Sequence, residues 1–285
     1  MSELPGTPLV WCNGAVLPAD EIHLSPFDHG ILVGDGVFET MRIYDATPFA
    51  WTRHLARLAV SAEGLELPRP DAARLREATA AVIAANHITE GRVRITITGG
   101  PSPLGSERGD HPPTVIVAVG TLAPWPATTT VVNVPWSRNE RGATAGLKTI
   151  SYAENVRALA YAHERDAGEA MFANTRGELC EATGSNVFCV EHGVVRTPPA
   201  AAGCLLGVTR ALVLELCVAS GLAAEEATLP AEAIASADEA FLTSSTREVH
   251  PISAVDGIEL PAAPGPITTQ LAEAFRALVA HDLDP

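Results

Sequence analysis

No stretch of this 285-residue chain is apolar for the roughly 20 residues that a membrane-crossing helix requires, so no helical span is expected. Positive charge is also scarce. The 19 Lys and Arg against 34 Asp and Glu leave a formal charge of −15, which argues against nucleic acid or an anionic membrane surface as a partner. The cysteines, at 12, 180, 189, 204 and 217, are odd in number and form no Cys-x-x-Cys pair, so neither a disulfide framework nor a zinc site is expected. The 9 histidines never fall at His-x-x-x-His spacing, which leaves a metal centre with little support. Met1 to Val10 holds prolines and a glutamate, with no basic segment followed by an apolar core; it does not read as a secretory leader, and a cytoplasmic location is expected. Gly34-Asp35-Gly36 lacks both the G-x-G-x-x-G spacing of a dinucleotide loop and the lysine of a P-loop. No internal repeat or low-complexity segment is present.

What is there is an ordinary globular composition, 47% hydrophobic, in a chain long enough for about two domains. Trp11 to Val16 and Ile22 to Leu24 read as short strands around an Asn13-Gly14 turn, and Val37 to Tyr44 as a third. Arg53 to Glu63 reads as a helix stopped by Gly64, and Asp71 caps a second helix running to about Asn86. Arg92 to Thr98 alternates as a half-buried strand, Gly99 to Pro113 is a Gly- and Pro-rich loop, and Thr114 to Val119 is a strand. Two prolines in Gly120 to Pro126 mark a linker, which divides the chain into residues 1–119 and 127–285. Beyond it, Val131 to Val134 is a strand and Glu154 to Arg165 a helix with Val156, Leu159 and Ala160 inward. Met171 to Ala173, Ser185 to Val190 and Val194 to Thr197 are strands, with Glu181 on the loop between the first two. A helix over Thr209 to Ser220, a strand over Ala240 to Thr243 and a final helix from near Pro266 complete the expectation.

The chemistry gathers at Gly146 to Tyr152, where Lys148 is the one charged residue in an apolar and hydroxylic run. A buried ammonium there would be desolvated and made more nucleophilic, as an imine-forming lysine requires. Glu181 adds a carboxylate, and Gly207-Val208-Thr209 opens a helix whose first N–H groups would suit a phosphate. Together these groups suggest pyridoxal phosphate: a Schiff-base lysine, a partner for the ring nitrogen and a phosphate anchor. Singly, each also reads as ordinary structure, the lysine as a strand-end surface residue and Gly-Val-Thr as a helix start.

The order Phe27-Asp28-His29-Gly30, Gly34-Asp35-Gly36-Val37-Phe38-Glu39-Thr40, Arg53-His54, Leu147-Lys148-Thr149 and Glu178 to Phe188 resembles the class IV aminotransferases, the fold-type IV pyridoxal-phosphate enzymes. The likeness continues through Thr197-Pro198-Pro199, Gly207 to Arg210 and Ser244-Ser245-Thr246, and so covers nearly the whole chain. The resemblance implies a two-domain α/β (α+β) fold, with a small N-terminal α/β domain and a larger C-terminal pseudo-barrel domain. It implies that Lys148 holds the cofactor as an aldimine and moves the substrate proton, while Glu181 keeps the ring nitrogen protonated and Tyr152 bonds the ring 3-oxygen. On spacing alone, Tyr152 is equally a boundary tyrosine with its hydroxyl in water. Arg53, Gly207, Val208, Thr209, Ser245 and Thr246 are the implied phosphate contacts. An arginine in a first helical turn is otherwise usually solvated, against the dipole.

Small-molecule amines and keto acids are the implied substrates, and a homodimer with shared active sites the implied assembly. Phe38, Gly99, Arg108 and Arg138 are the candidate substrate contacts. D-amino-acid transaminases carry an arginine where this chain has Gly99, so Arg108 or Arg138 would have to replace that carboxylate clamp. The expected reaction is transamination of D-amino acids or (R)-amines. An aminodeoxychorismate lyase is the alternative, and a branched-chain L-amino-acid transaminase or a catalytically silent pyridoxal-phosphate-binding protein are further ones.

Overall fold

The structure, a computed structural model, describes residues 6–285; of the leader reading over Met1 to Val10, residues 1–5 lie outside the described residues. The chain forms two compact units. One holds the chain up to Ala123 together with Leu147–Tyr152 and Asp282–Pro285; the other holds Pro124–Gly146 and Ala153–His281. The division therefore differs from a single cut at a linker, because the segment carrying Lys148 belongs to the first unit while its flanks belong to the second.

The first unit contains, in chain order, β1 (Leu9–Cys12), β2 (Ala15–Pro18), the single turn α1 (His29–Leu32), β3 (Gly36–Tyr44), β4 (Thr47–Pro48), α2 (Trp51–Gly64), α3 (Ala72–Ala85), β5 (Gly91–Thr98) and β6 (Val115–Gly120). The strands form one sheet in the order β2-β1-β6-β5-β3-β4. Asn13 (φ 49°) and Gly14 (φ 119°) make the tight turn between β1 and β2, where left-handed backbone suits both residue types. Alternation in β3 puts Val37, Glu39, Met41 and Ile43 wholly out of water. Leu55, Leu58 and Ala62 of α2 and Leu75, Ala78, Val82 and Ile83 of α3 complete that core. Each such Leu, Val or Ile contributes about 1.5–3 kcal/mol by burial. Asp71 caps α3 by accepting from Arg74 N at 3.0 Å.

The strand expected over Ile22 to Leu24 is absent. After Pro18 the chain enters a 3-10 turn over Ala19–Glu21, and Leu24 is exposed. Pro18 has no N–H to extend the β2 ladder, and three residues with one exposed leucine offer no buried face to fix a new edge.

The second unit contains β7 (Thr129–Asn133), α4 (Ala153–His163), β8 (Glu169–Ala173), β9 (Leu179–Ala182), β10 (Asn186–Glu191), β11 (Val194–Thr197), α5 (Val208–Ala219), β12 (Ala224–Glu226), β13 (Glu239–Ser244), β14 (Glu248–Val255), β15 (Ile258–Glu259) and α6 (Pro266–His281). Its sheet runs β12-β11-β10-β13-β14-β7-β8-β9, with β15 paired to β14. The last strand in space, β9, leads straight into β10 through a turn closed by Ala182 N on Ser185 O, and the sheet curls into a half-barrel. Glu239 caps α6, its carboxylate accepting from Ile267 N at 3.0 Å and Thr268 N at 2.7 Å, an anion at the positive end of the helix. Among the described residues no helix is long and apolar enough to cross a membrane.

Two expectations about this unit need correction. Glu181 lies on β9, opposite Phe172 of β8, and not on a loop. Leu179, Cys180 and Ala182 around it are all buried, so the strand is covered on both faces and shows no alternation to read. In α4 the inward residues are Ala158 and Ala162, whereas Val156 is 66% exposed. Asn155 sets this rotation: its Nδ2 donates to Thr183 O at 2.5 Å and its Oδ1 accepts from Arg138 at 2.9 Å. With 155 facing inward, 158 and 162 follow at i+3 and i+7, and 156 and 160 turn outward. Accordingly Val156→Ser should change urea-unfolding stability by less than about 0.5 kcal/mol. Ala162→Leu should lose about 1–3 kcal/mol by overpacking, and equal effects would refute this orientation of α4.

Candidate active site

Lys148 is held by backbone pairing to the start of β3. Its N–H donates to Ser61 Oγ of α2 at 3.0 Å, and its carbonyl accepts from Phe38 N at 3.1 Å. Ile150 N then donates to Gly36 O at 2.9 Å, while Leu147 packs where a side chain on Gly64 would stand. These contacts explain why Leu147–Tyr152 belongs to the first unit. The lysine Nζ sits 4.3 Å from the Phe38 ring centroid and 6.0 Å from that of Tyr152. The two rings meet edge to face at 5.1 Å. Arg94 of β5 brings its guanidinium carbon within 3.7 Å of the same Phe38 centroid. Aromatic faces stabilise both cations without neutralising them. In the sequence Arg94 is only a polar position of an alternating strand, and the fold alone brings it onto the ring that Lys148 also approaches.

Below this group lies a buried ionic network. Glu39, fully enclosed, accepts two bonds from Arg57, from Nε at 2.7 Å and Nη2 at 2.8 Å, and its Oε2 is 2.7 Å from His54 Nδ1. Burial opposes ionisation of Glu39 most strongly, but Arg57 and His54 together outweigh it and hold the carboxyl well below its ordinary range. His54 is pushed down by its own burial; Glu39 opposes the shift, while Arg57 and Lys148 add to it. Arg53 lies elsewhere, its Nε donating to Pro285 O at 2.7 Å beside the Thr52–Asp284 bonds. Arg57, one turn further along α2, shares a face with His54 and Ser61, the face turned to Lys148. The spacing of His54, Arg57 and Ser61 at i, i+3 and i+7 is the signal in the sequence for this difference.

Arg108 is also committed. It donates to both oxygens of Asp35 at 2.7 Å, to Leu65 O at 2.6 Å and to Glu66 O at 3.0 Å. The Asp35 carboxyl is held below its usual range, chiefly by the Arg108 hydrogen bonds. His29 bridges the same carboxylate and Gly105 O. A side chain on Gly99 would overlap Asp35 Oδ2, so an arginine there is incompatible with this arrangement.

In the second unit, Glu181 accepts from Arg138 Nη1 at 2.5 Å and from Leu205 N at 2.9 Å. Arg138 also reaches Glu154 at 3.2 Å and Asn155 at 2.9 Å and lies 3.9 Å over Phe172. The structure thus places this expected substrate arginine on the expected cofactor acid. Gly207 is the N-cap of α5 and no side chain caps the helix, leaving its first N–H groups for an anion. Asn186 packs so closely on Gly207 that a Cβ there would overlap its Oδ1. Asn186 also pairs with Thr243 at the end of β13, just before the turn that carries Ser245 and Thr246. The helix start and that turn therefore share one neighbour.

Amino-transferase class IV is the family whose model matches, over residues 36–255. The D-alanine aminotransferase of Bacillus licheniformis is 30% identical over 93% of this chain and 94% of its own length. The aminodeoxychorismate lyase of Bacillus subtilis is 30% identical over 92% of each. The branched-chain aminotransferase of the thermophilic archaeon Thermoproteus uzoniensis, solved with norvaline, superposes with a TM-score of 0.89 at 28% identity, over 97% of this chain and 96% of that one. The protein belongs to the class IV aminotransferases. These enzymes use pyridoxal phosphate.

The residues present fit that cofactor. The first unit offers an amine against aromatic faces; the second offers an anchored carboxylate and an uncapped helix start.

The Glu39 network also sets an acid limit. A carboxyl depressed in the folded state contributes stability that is full above its ordinary value of 4.5 and is lost as pH falls through the lower folded value. Glu39→Gln should flatten the acid limb of a stability-versus-pH curve measured by urea unfolding. Glu39→Ala should cost about 3–5 kcal/mol by removing the carboxylate from an ion pair that is largely out of water. An acid limb unchanged in Glu39→Gln would contradict the assignment.

Proposed function

We propose that this protein is a transaminase that moves the amino group of an amino acid, with D-amino acids first, to a 2-keto acid. The supporting observation is the cluster of Lys148, Phe38, Tyr152 and Arg94, an amine and a guanidinium within one aromatic group. Bound pyridoxal phosphate supplies the electron sink for the carbanion formed at the substrate α-carbon. Lys148 Nζ takes the proton from that carbon and returns it during the reaction. Arg94 meets the substrate carboxylate, an interaction that (R)-amines lacking a carboxylate would not use. Glu181 holds a proton at the ring nitrogen; Arg138 and Leu205 N fix its orientation, and a carboxylate's remaining lone pairs leave capacity for that contact. The Tyr152 hydroxyl bonds the ring 3-oxygen. In the second unit Val208, Thr209, Ser245 and Thr246 are the phosphate contacts; in the first, Arg57 is preferred to Arg53 because it shares a face of α2 with Ser61, which holds the Lys148 backbone. D-amino acids come first because D-alanine aminotransferases are among the relatives. The lyase is the second reading, supported by the Bacillus subtilis relative.

Lys148→Ala should fold, lose the visible absorption of the bound cofactor and lose turnover; an unchanged spectrum would remove Lys148 from its role. Arg57→Lys, which keeps the charge but not the fork, should weaken cofactor binding about tenfold or more, while Arg53→Ala should alter it by less than about threefold. The reverse order, in titrations of cofactor-free protein, would restore Arg53.

Reaction class follows from an incubation with D-glutamate and no acceptor, run beside L-leucine and aminodeoxychorismate. A transaminase yields 2-oxoglutarate only up to the amount of enzyme until pyruvate is added. A lyase releases pyruvate and 4-aminobenzoate from aminodeoxychorismate continuously. Sustained release with no response to D-glutamate would make the lyase the function, and a response to L-leucine alone would make it a branched-chain transaminase.

A further inference from the structure

The turn that carries Ser245 and Thr246 is held by side chains to which the reaction assigns no part. Arg247, the next residue, is 8% exposed, and its guanidinium makes three polar contacts. Nε pairs with Glu169 Oε2 at 3.0 Å, Nη1 meets His250 Nδ1 at 2.9 Å and Nη2 donates to Gly168 O at 3.2 Å. The guanidinium carbon lies 3.8 Å from the ring centroid of Trp125. Trp125 donates its indole N–H to the carbonyl of Thr246 itself at 2.9 Å, and His250 Nε2 is 2.8 Å from Pro126 O. Glu169 also accepts from Gly184 N at 2.7 Å and Ser185 Oγ at 3.2 Å, which ties the cluster to the β9–β10 turn. The chain leaves the turn through Glu248 at φ 58°. That conformation is unfavourable for a residue with a Cβ and persists where the surroundings enforce it.

The two bonds of His250 fix its proton. A carbonyl only accepts, so Nε2 carries the hydrogen toward Pro126; a guanidinium only donates, so Nδ1 must be bare toward Arg247. Both bonds exist only for the neutral ring. An imidazolium would set a second N–H against Arg247. The charged groups around His250 are Arg247, on its own hairpin, and Glu169 of β8 behind it; Trp125 and Pro126 bring none. Burial first and Arg247 second push His250 below its ordinary value, so the ring stays neutral at neutral pH and charges only in acid.

We propose that Arg247 and His250 are positioning residues for the cofactor phosphate, which with Trp125 fix the Ser245–Thr246 turn in its receiving geometry as long as His250 is neutral. The inference rests on the reading that this turn receives the phosphate. A turn already fixed loses less freedom when the anion arrives, so its anchors act on affinity without touching the ligand.

The test titrates the full-length, cofactor-free chain with pyridoxal phosphate at pH 7.5, at pH 5.5 and in more acid buffer, for the wild type and for Thr246→Ala, His250→Leu and His250→Gln. Glutamine can accept from Arg247 through its carbonyl and donate to Pro126 O through its amide, without a titrating ring. At pH 7.5, His250→Leu should bind about tenfold more weakly, as expected for a lost bond to a charged group, and His250→Gln should bind as the wild type does. As the pH is stepped down from 7.5 through 5.5 into more acid buffer, titration of the phosphate itself weakens every variant, but the wild type should lose more affinity than His250→Gln as its ring charges. Equal losses in those two proteins would overturn the proposal. So would wild-type binding by a folded His250→Leu alongside weakened Thr246→Ala. If Thr246→Ala also binds normally, the phosphate reading of the turn falls, and the inference with it. Should His250→Leu fail to fold, the pH comparison between wild type and His250→Gln decides alone.

Discussion

A carboxylate sealed from water must be met by positive charge, and the interior of the first unit is arranged around meeting one. Glu39 projects from β3 into the space under α2, and Arg57 and His54 reach it from that helix. Removing water from three polar groups is costly unless their geometry is mutual, so the network admits little freedom in how α2 lies on β3. With α2 fixed, Ser61 stands where it can receive the Lys148 N–H, and Phe38, beside Glu39 in sequence but on the opposite face of β3, receives the lysine side chain. The ion pair is therefore less a source of net stability than a device for registering one helix, one strand and one returning segment.

Charge pairing also organises the arginines that the sequence offered as substrate readers. Arg108 closes on Asp35 and Arg138 on Glu181, each through short bonds. All three guanidinium nitrogens of each are taken by these carboxylates and by neighbouring acceptors, which leaves little for a substrate. Arg94 differs in resting on an aromatic ring and giving its Nε to Thr96 Oγ1, with no carboxylate paired to it among the described residues. The distinction between these arginines lies in their partners, and partners far apart in the chain carry no local signature.

Much of the fold was legible where periodicity was long and one-sided. Asp71, the 14-residue α3 and the alternation of β5 announced themselves, because a half-buried element writes its exposed face into the sequence. Legibility failed where both faces are covered, as at β9 around Glu181, and where a polar contact overrides apolarity. In α4 the hydrogen bonds of Asn155 turn Val156 outward, although hydropathy alone points it inward. The candidate site was proposed from residue types in order, because Lys148, Glu181, Gly207 and Thr246 each read singly as ordinary structure and only their sequence along the chain suggested shared chemistry. Arg94 and Arg247 carry no such signal, and their contacts follow only from which face of an element meets which neighbour.

The returning segments bear on how the chain can fold as it is made. Backbone passes from one unit to the other after Ala123, Gly146, Tyr152 and His281, so no single cleavage yields two complete halves. The first unit receives its lysine segment only after residue 152 has emerged, and the partners of Ala50, Thr52 and Arg53 come more than 200 positions later, from residues 283–285. Ribosomal synthesis at about 5–20 residues per second leaves the start of α2 without these partners for many seconds. Contacts of such sequence separation close late and slowly. The N-terminal sheet is thus able to collapse early, while the assembly of the Lys148 segment into it is a later event, timed by translation of the chain that follows.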